Sequence, residues 1–198
     1  MTARQIGFNL AALAVLMALL GVVYWQHTGA RAVPELIQAL QSDDLQAQLL
    51  AAHGLKDIGV PAQAAVPLLV ELATADGRSL LHSEAAGALP WIDLTAARKV
   101  MLAWLPKLQD PDPQVRRDAA AVLGALGPVA KPAVHSLLGV VNDPNTVVRD
   151  RVVRALGAIA LPNGLVVRGL MQALRDPEWT VRYAAITQLS YTGALNPE

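Results

Sequence analysis

A motif that recurs at a nearly constant interval is the feature that most constrains how this 198-residue chain can fold. Three segments begin with Asp-Pro and carry Val-Arg, with the arginine six residues after the aspartate: 110–127, 143–160 and 176–193. Their arginines, Arg116, Arg149 and Arg182, are evenly spaced along the chain. A fixed period of about 20–50 residues is the sequence signature of a stacked repeat array.

The same register extends towards the N-terminus. The three arginines are 33 residues apart. His82 lies 34 residues before Arg116, and Gln48 lies 34 residues before His82. In the first three units alanine follows the register position by three residues, and leucine follows it by seven. The sequence therefore predicts five units, over about 33–63, 64–97, 98–130, 131–163 and 164–195, with 196–198 as a tail.

Each unit is predicted to contain two helices, which makes the fold all-α. The first helix of each unit has an apolar face with a 3.6-residue period and begins near Val33, Ala65, Val100, Ala133 or Val166. The second helix follows the Asp-Pro turn or its polar equivalent. Pro90 lies where the second helix of the second unit should end, so this helix is predicted to be shortened or kinked.

The pattern D-P-x-x-x-V-R-x-x-A resembles the short variant of HEAT repeats, including those of the phycobilin lyases. The resemblance covers about 33–195 and is most specific in the last three units. It implies an α-solenoid of stacked helix pairs, with first helices on the convex side and second helices lining the concave side. One helix pair cannot bury its apolar face alone, but five stacked pairs form a continuous core.

Residues 6–25 predict a transmembrane helix in front of the solenoid, because only Gly7, Asn9 and Gly21 fall outside the apolar set. A helix of this length spans about 30 Å, the thickness of the hydrocarbon core. Tyr24 and Trp25 fall where aromatic residues meet the membrane interface. We predict an uncleaved signal anchor over 1–27 and a linker over 28–32. The alternative is a signal peptide cleaved at Ala30-Arg31-Ala32.

The charges that flank the span predict its orientation. Arg4 and the amino terminus precede it, and the positive-inside rule then places the N-terminus in the cytoplasm. This predicts a single-pass protein of the bacterial inner membrane with a periplasmic solenoid. The short linker would keep the solenoid close to the bilayer.

The composition gives little support to catalysis. The chain has no cysteine, which excludes thiol catalysis and cysteine-ligated metal centres. HEAT-like deoxyhypusine hydroxylases ligate iron through paired His-Glu motifs, but here the nearest match is the single His82-Ser83-Glu84. No nucleophile triad, P-loop or dinucleotide fingerprint is present. We therefore expect no enzyme activity, no cofactor and no catalytic or metal-ligating residue.

The repeated Asp-Arg pattern has two interpretations. It could form a row of anion-binding sites, or a structural ladder in which each carboxylate ties the turn between helices to an arginine within or between repeats. The HEAT resemblance also implies the ladder, which we prefer. Its members are Asp110, Arg116, Asp143, Arg149, Asp176 and Arg182, with Asp76 and His82 as a degraded copy.

Charge is distributed unevenly along the solenoid. Residues 33–97 carry eight acidic and two basic residues, whereas 98–182 carry twelve basic and seven acidic ones. The basic half could dock an acidic partner, with binding that weakens as salt rises. The candidate partner-binding residues outside the ladder are Arg117, Arg151, Arg154, Arg168, Arg175 and Trp179.

The sequence therefore predicts a membrane-anchored protein-interaction scaffold, interpreted as an accessory or assembly subunit of a larger bacterial membrane complex. Its expected partners are proteins, with neither nucleic acid nor a small-molecule substrate. Two alternatives stay open. One is a HEAT-like lyase or hydroxylase that handles a cofactor, and the other is a nucleic-acid binder that uses the basic half.

Overall fold

The computed structural model describes residues 31–75, 79–159 and 164–191, and these ranges form five successive helix pairs. The first helices are α1 Val33–Leu40, α3 Val66–Thr74, α5 Leu94–Trp104, α7 Val134–Gly139 and α9 Gly164–Ala173. The second helices are α2 Leu45–Ile58, α4 Ser79–Ile92, α6 Pro113–Ala125, α8 Thr146–Ile159 and α10 Trp179–Tyr191. Short 3-10 segments adjoin three first helices, at Val60–Ala65, Pro106–Gln109 and Gly127–Ala133. We number the pairs as repeats 1 to 5.

Polar side chains in the turns define where several helices begin. The carboxylate of Asp44 accepts a hydrogen bond from the Gln46 amide at 2.9 Å, and Asp112 accepts one from Gln114 at 2.8 Å. Such N-cap bonds satisfy amide groups that have no partner within the helix. After α2 the chain turns at Gly59, whose φ of +70° favours glycine. Capping and glycine thus separate one helix from the next.

The second helices of neighbouring repeats pack side by side and form the spine of the core. The leucine seven residues after the register position is fully buried in every repeat. These leucines are Leu55, Leu89, Leu123, Leu156 and Leu189. The small residue three positions after the register position is buried as well, at Ala51, Ala85, Ala119, Val152 and Ala185. The sequence repeat therefore corresponds to a repeated packing unit.

One close approach between second helices requires glycine. A Cβ atom added at Gly124 of α6 would lie 3.0 Å from the Cα and 3.1 Å from the Cβ of Ala155 in α8. A backbone neighbour cannot move aside as the end of a long side chain can, so α6 and α8 meet at this point without room for a methyl group. Glycine and alanine thereby set the spacing between repeats 3 and 4.

Repeats 2 and 3 are joined by an aromatic side chain. Trp104, at the end of α5, is buried, and its indole Nε1–H donates a hydrogen bond of 2.7 Å to the carbonyl of Ala73 in α3. The ring of His82 lies 5.5 Å from that of Trp104, centroid to centroid. The Lys107 ammonium lies 4.1 Å from the centroid of the Trp104 ring, within cation–π range.

Pro90 does not shorten its helix, so the prediction of a shortened helix is wrong. Helix α4 runs two residues past Pro90 to Ile92, and its 14 residues equal the length of α2 and of α8. A proline in the last turn removes one amide donor, while the helix is already held by the contacts of α4 with α2, α3 and α6. Tertiary packing outweighs the local preference here.

The predicted anchor lies outside the described residues, as do Tyr24, Trp25, most of the linker and the tail. Of the helices in the described ranges, none is both long enough and apolar enough to cross a membrane. The span over 6–25 therefore stays a prediction.

Candidate functional site

The Asp-Arg pattern forms ion pairs between neighbouring repeats. Arg116 donates from Nε to Oδ2 of Asp143 at 2.7 Å and from Nη2 to Oδ1 at 2.9 Å. Arg149 binds Asp176 through the same atoms, also at 2.7 and 2.9 Å. Both pairs are bidentate, the geometry in which a guanidinium fork matches a carboxylate. Each arginine therefore ties its own repeat to the one that follows.

The third nitrogen of each guanidinium holds the turn of its own repeat. Nη1 of Arg116 donates to the carbonyl of Asp110 at 2.8 Å, and Nη1 of Arg149 donates to the carbonyl of Asp143 at 2.9 Å. Nη1 of Arg182 makes the same bond to Asp176 at 2.8 Å. The contact between residues six apart thus involves the backbone of the aspartate, while the carboxylates of Asp143 and Asp176 belong to the joints with the preceding repeats.

The ion pairs favour the charged forms of both partners. Burial opposes ionisation of Asp143, but hydrogen bonds from Arg116 and from the Asn145 amide outweigh it and lower the pKa of Asp143. The hydrogen bond from Arg149 lowers the pKa of Asp176 against the opposing effect of burial. Asp176 in turn raises the pKa of Arg149. The charges at these joints are therefore mutually compensated.

Repeats 1 and 2 fill the register position differently. Gln48 is buried, and its Nε2 donates to the carbonyls of Ser42 at 2.8 Å and Leu40 at 3.0 Å. The bond to Ser42 spans six residues, as does the bond from each ladder arginine to its own turn. His82 is buried against Trp104, and Asp76 lies outside the described residues.

The predicted partner-binding arginines fall into two groups. Arg117 is paired with Asp118 at 2.7 Å, and Arg154 is paired with Asp150 at 2.9 Å. The hydrogen bond from Asp150 raises the pKa of Arg154. By contrast, Arg151, Arg168 and Arg175 are exposed and form no ion pair with any residue in 31–75, 79–159 or 164–191. The second group offers uncompensated positive charge to a partner.

Arg168 and Arg175 line a cleft of about 940 Å³ on the side of the molecule where the turns lie. It runs between the turn of repeat 4, at Asn142 and Pro144, and the helix α9 of repeat 5. Met171, which lies between the two arginines in the sequence, is half-exposed and contributes an apolar surface to the same cleft. We name this the α9 cleft.

Arg151 and Arg154 line a smaller groove of about 330 Å³ across the second helices. Its walls include small residues such as Gly87 and Gly124, and also the acidic Glu84. The predicted arginines are thus brought to two surfaces rather than one, and Arg117 lines neither.

Trp179 lies apart from both surfaces. It is 66% exposed at the start of α10, and it lines neither the α9 cleft nor the smaller groove. The structure therefore does not bring this tryptophan together with the candidate arginines.

Sequence reasoning missed three exposed apolar residues, Met171, Tyr183 and Ile186. Ile186 could have been found, because it is larger than the alanine or valine that occupies its register position in the other repeats. Met171 carries no comparable signal, since the equivalent residues Leu138 and Leu105 are only partly buried.

The described residues hold no group of three or more histidine, aspartate or glutamate side chains placed to bind a metal ion. The histidines of the sequence therefore supply no candidate metal centre in 31–75, 79–159 and 164–191.

Comparison with protein families matches residues 100–190 to the HEAT repeats. This match covers the part of the chain that contains both ladder ion pairs. A comparison with curated proteins by sequence found no match.

Comparison with solved structures matches chains of low sequence identity to this one. The phycocyanin lyase complex of CpcE and CpcF from a Nostoc species is 22% identical with a TM-score of 0.48, over 70% of this chain and 88% of that chain. An engineered protein is 23% identical with a TM-score of 0.47, over 82% and 79% of the two chains. A designed armadillo repeat protein in complex with the peptide (KR)4 is 18% identical with a TM-score of 0.47, over 82% and 88%.

Proposed function

We propose that this protein is a membrane-anchored scaffold that binds an acidic protein partner without chemical catalysis. In this proposal residues 6–25 anchor it in the bacterial inner membrane, the solenoid lies in the periplasm, and the protein serves as an accessory or assembly subunit of a membrane complex. The α9 cleft is the partner site.

One observation carries the proposal: the α9 cleft presents two arginines that the fold does not use. Arg116 and Arg149 form the ion pairs of the ladder. By contrast, Arg168 and Arg175 are exposed and form no ion pair with any of the described residues. The carboxylates that also line the cleft, Asp143 and Asp176, are already paired with ladder arginines, so the two exposed arginines leave an excess of positive charge there. Such an excess attracts carboxylates and raises the rate of encounter with an acidic partner.

Met171 makes the cleft better suited to a protein segment than to a free ion. Its side chain is 51% exposed beside the arginines. Methionine adapts its shape to apolar partners, and arginine is enriched at the energetic centres of protein interfaces. We therefore expect an acidic segment that also carries an apolar side chain.

Photo-crosslinking in intact membranes tests the proposal. Full-length protein would carry the photoreactive residue p-benzoylphenylalanine in place of Met171, and adducts would be identified by mass spectrometry. We expect one abundant protein adduct, lost when Arg168→Glu and Arg175→Glu are introduced together and weakened by raised salt.

Two controls make the result specific. The same photoreactive residue at Leu102, which is exposed at the register position equivalent to Arg168, should not give this adduct. Lys131→Glu reverses an exposed charge of the basic half that does not line the α9 cleft, and should leave the adduct unchanged. An adduct that survives the double reversal, or the absence of any adduct, would rule out the α9 cleft as the partner site.

The absence of cysteine allows a clean test of the proposed topology. Leu102→Cys in the solenoid and Thr2→Cys before the predicted span would each be the sole thiol of the protein. A membrane-impermeant maleimide applied to spheroplasts should label Leu102→Cys but label Thr2→Cys only after lysis. The reverse pattern would place the solenoid in the cytoplasm.

A further inference from the structure

The last arginine of the ladder is oriented like the others, but within 31–75, 79–159 and 164–191 no carboxylate takes the place of their partner. Nη1 of Arg182 donates to the carbonyls of Asp176 at 2.8 Å and Pro177 at 2.7 Å. Arg149 makes the equivalent two bonds, to Asp143 and Pro144. In Arg149 the Nε and Nη2 groups then bind Asp176 of the next repeat. Among the described residues no carboxylate accepts from those two groups of Arg182.

An apolar surface adjoins this arginine. The position of Ile186 is occupied by Ala52, Ala86, Ala120 and Val153 in the other repeats, where it is buried. Ile186 itself is 51% exposed. Trp179 and Tyr183 lie at spacings of seven and three residues before it, on the same side of α10, and are 66% and 60% exposed. We call Trp179, Arg182, Tyr183 and Ile186 the terminal face.

We propose that the terminal face binds a partner protein through a helix whose preceding turn carries an aspartate or glutamate. The two internal joints show the chemistry directly, since each places such a carboxylate on the Nε and Nη2 groups and a helix on the apolar surface beside them. The partner packs on α10 as one repeat packs on the next. The inference rests on the proposed scaffold function but uses a different surface.

A second copy of this chain does not place a carboxylate at the position that pairs with arginine. In repeat 1, the first of the described repeats, this position is Ser42; Asp43 and Asp44 are displaced from it by one and two residues, and the Asp44 carboxylate caps α2. Asp143 and Asp176 are engaged by Arg116 and Arg149, and the Asp110 carboxylate accepts from the Asp112 amide within the turn of repeat 3. The occupant is therefore a different, acidic protein.

Photo-crosslinking from Tyr183 tests this assignment in the full-length protein in its membranes. We expect an adduct whose crosslinked peptide in the partner contains aspartate or glutamate at the start of a helix. Arg182→Gln should reduce its yield at least tenfold, and Arg182→Lys at least fivefold because lysine lacks the planar fork. Arg98→Gln, an exposed arginine of α5, serves as the matched control and should leave the yield unchanged.

Ile186→Ser keeps the test valid if Arg182→Gln loosens the last turn. This variant leaves the guanidinium and its turn bonds in place, and should also reduce the yield at least fivefold. Full yield from Arg182→Lys, an adduct that maps to a second copy or to residues 192–198, or no adduct from Tyr183 would each overturn the assignment. If one of these outcomes occurs while the photoreactive residue at position 171 still gives its adduct, the α9 cleft binds its partner without the terminal face.

Discussion

The joints of the solenoid are built by two different kinds of chemistry. Repeats 3, 4 and 5 are linked by Arg116–Asp143 and Arg149–Asp176, two ion pairs with the same atoms and nearly the same distances. The joint between repeats 2 and 3 instead depends on Trp104, which packs on His82 and donates to Ala73. The second helices, of 13 or 14 residues, and the buried leucines hardly differ between the two regions.

The comparison of the two kinds of joint shows which contacts every repeat has and which contacts vary from one repeat to the next. The buried leucine is present in all five repeats, so the packing of second helices is the requirement. The register position accepts glutamine, histidine or arginine, provided that the side chain satisfies the turn or packs on the neighbouring repeat. An arginine–aspartate ion pair and a buried tryptophan are therefore two alternative ways to join neighbouring repeats.

The aromatic joint should be the most sensitive. Trp104→Ala should lower the free energy of unfolding by about 3–5 kcal/mol, since it leaves a large cavity and an unpaired carbonyl at Ala73. Urea unfolding of the full-length protein in detergent, followed by circular dichroism, measures this. Trp91→Ala, which changes a tryptophan that is mostly exposed, should change the free energy of unfolding by less than about 0.5 kcal/mol. Equal effects of the two substitutions would contradict the assigned role of Trp104.

The ladder should be the next most sensitive. Arg149→Leu removes the bidentate pair and leaves the mostly buried Asp176 carboxylate without its ion-pair partner, with the Glu178 amide as its remaining hydrogen-bond donor. We expect a loss of about 2–3 kcal/mol in the same measurement. Adding Asp176→Leu should recover part of that loss, because the unpaired charge disappears as well. The matched control is Arg168→Leu, and a similar loss there would show that the effect is not specific to the ladder.

Gln48 should matter less, because its bonds to carbonyl groups stay within repeat 1. Gln48→Ala removes the hydrogen bonds to Leu40 and Ser42 and should cost about 1 kcal/mol. Combined with Arg149→Leu, the two losses should add to within about 0.5 kcal/mol, since the sites are far apart along the solenoid. A strong departure from additivity would mean that the joints are coupled from one repeat to the next.

The smallest expected effect is the pH dependence of the ladder. The folded pKa of Asp176 is lowered, so its stabilisation is present above the unfolded pKa and is lost as the pH falls through the folded value. The stability difference between the wild type and Arg149→Leu should therefore narrow below about pH 4. Unfolding curves recorded from neutral pH down into the acid range measure it, and a constant difference would contradict a role for the ionised carboxylate.

The periodicity predicted most of the fold. The spacing of Arg116, Arg149 and Arg182 indicated the repeat length, and the small residue and leucine that follow indicated the buried face. Pro90 misled the prediction because the cost of a proline near a helix end is small beside the packing of α4 on three neighbours.

The site was less predictable. The sequence predicted the ladder residues but left open whether each carboxylate bonds to an arginine of its own repeat or of a neighbouring repeat. The distance to the neighbouring repeat depends on how the repeats stack, which the sequence does not specify. It also grouped Arg117 and Arg154 with Arg168 and Arg175. Asp150 and Arg154 are four residues apart, the spacing at which opposite charges on a helix meet, so this pair could have been predicted. The pairing of Arg117 with its direct neighbour Asp118 depends on side-chain directions that linear spacing does not specify.

The identical ion-pair joints have a consequence for how such a chain can grow by gene duplication. An extra copy of 131–163 inserted before repeat 5 would bring an aspartate that meets Arg149 and an arginine that meets Asp176, so both new boundaries would form at once. A copy of repeat 2 would bring His82 to a neighbour without Trp104. Duplication should therefore be tolerated more readily in repeats 4 and 5 than in the repeats that precede them.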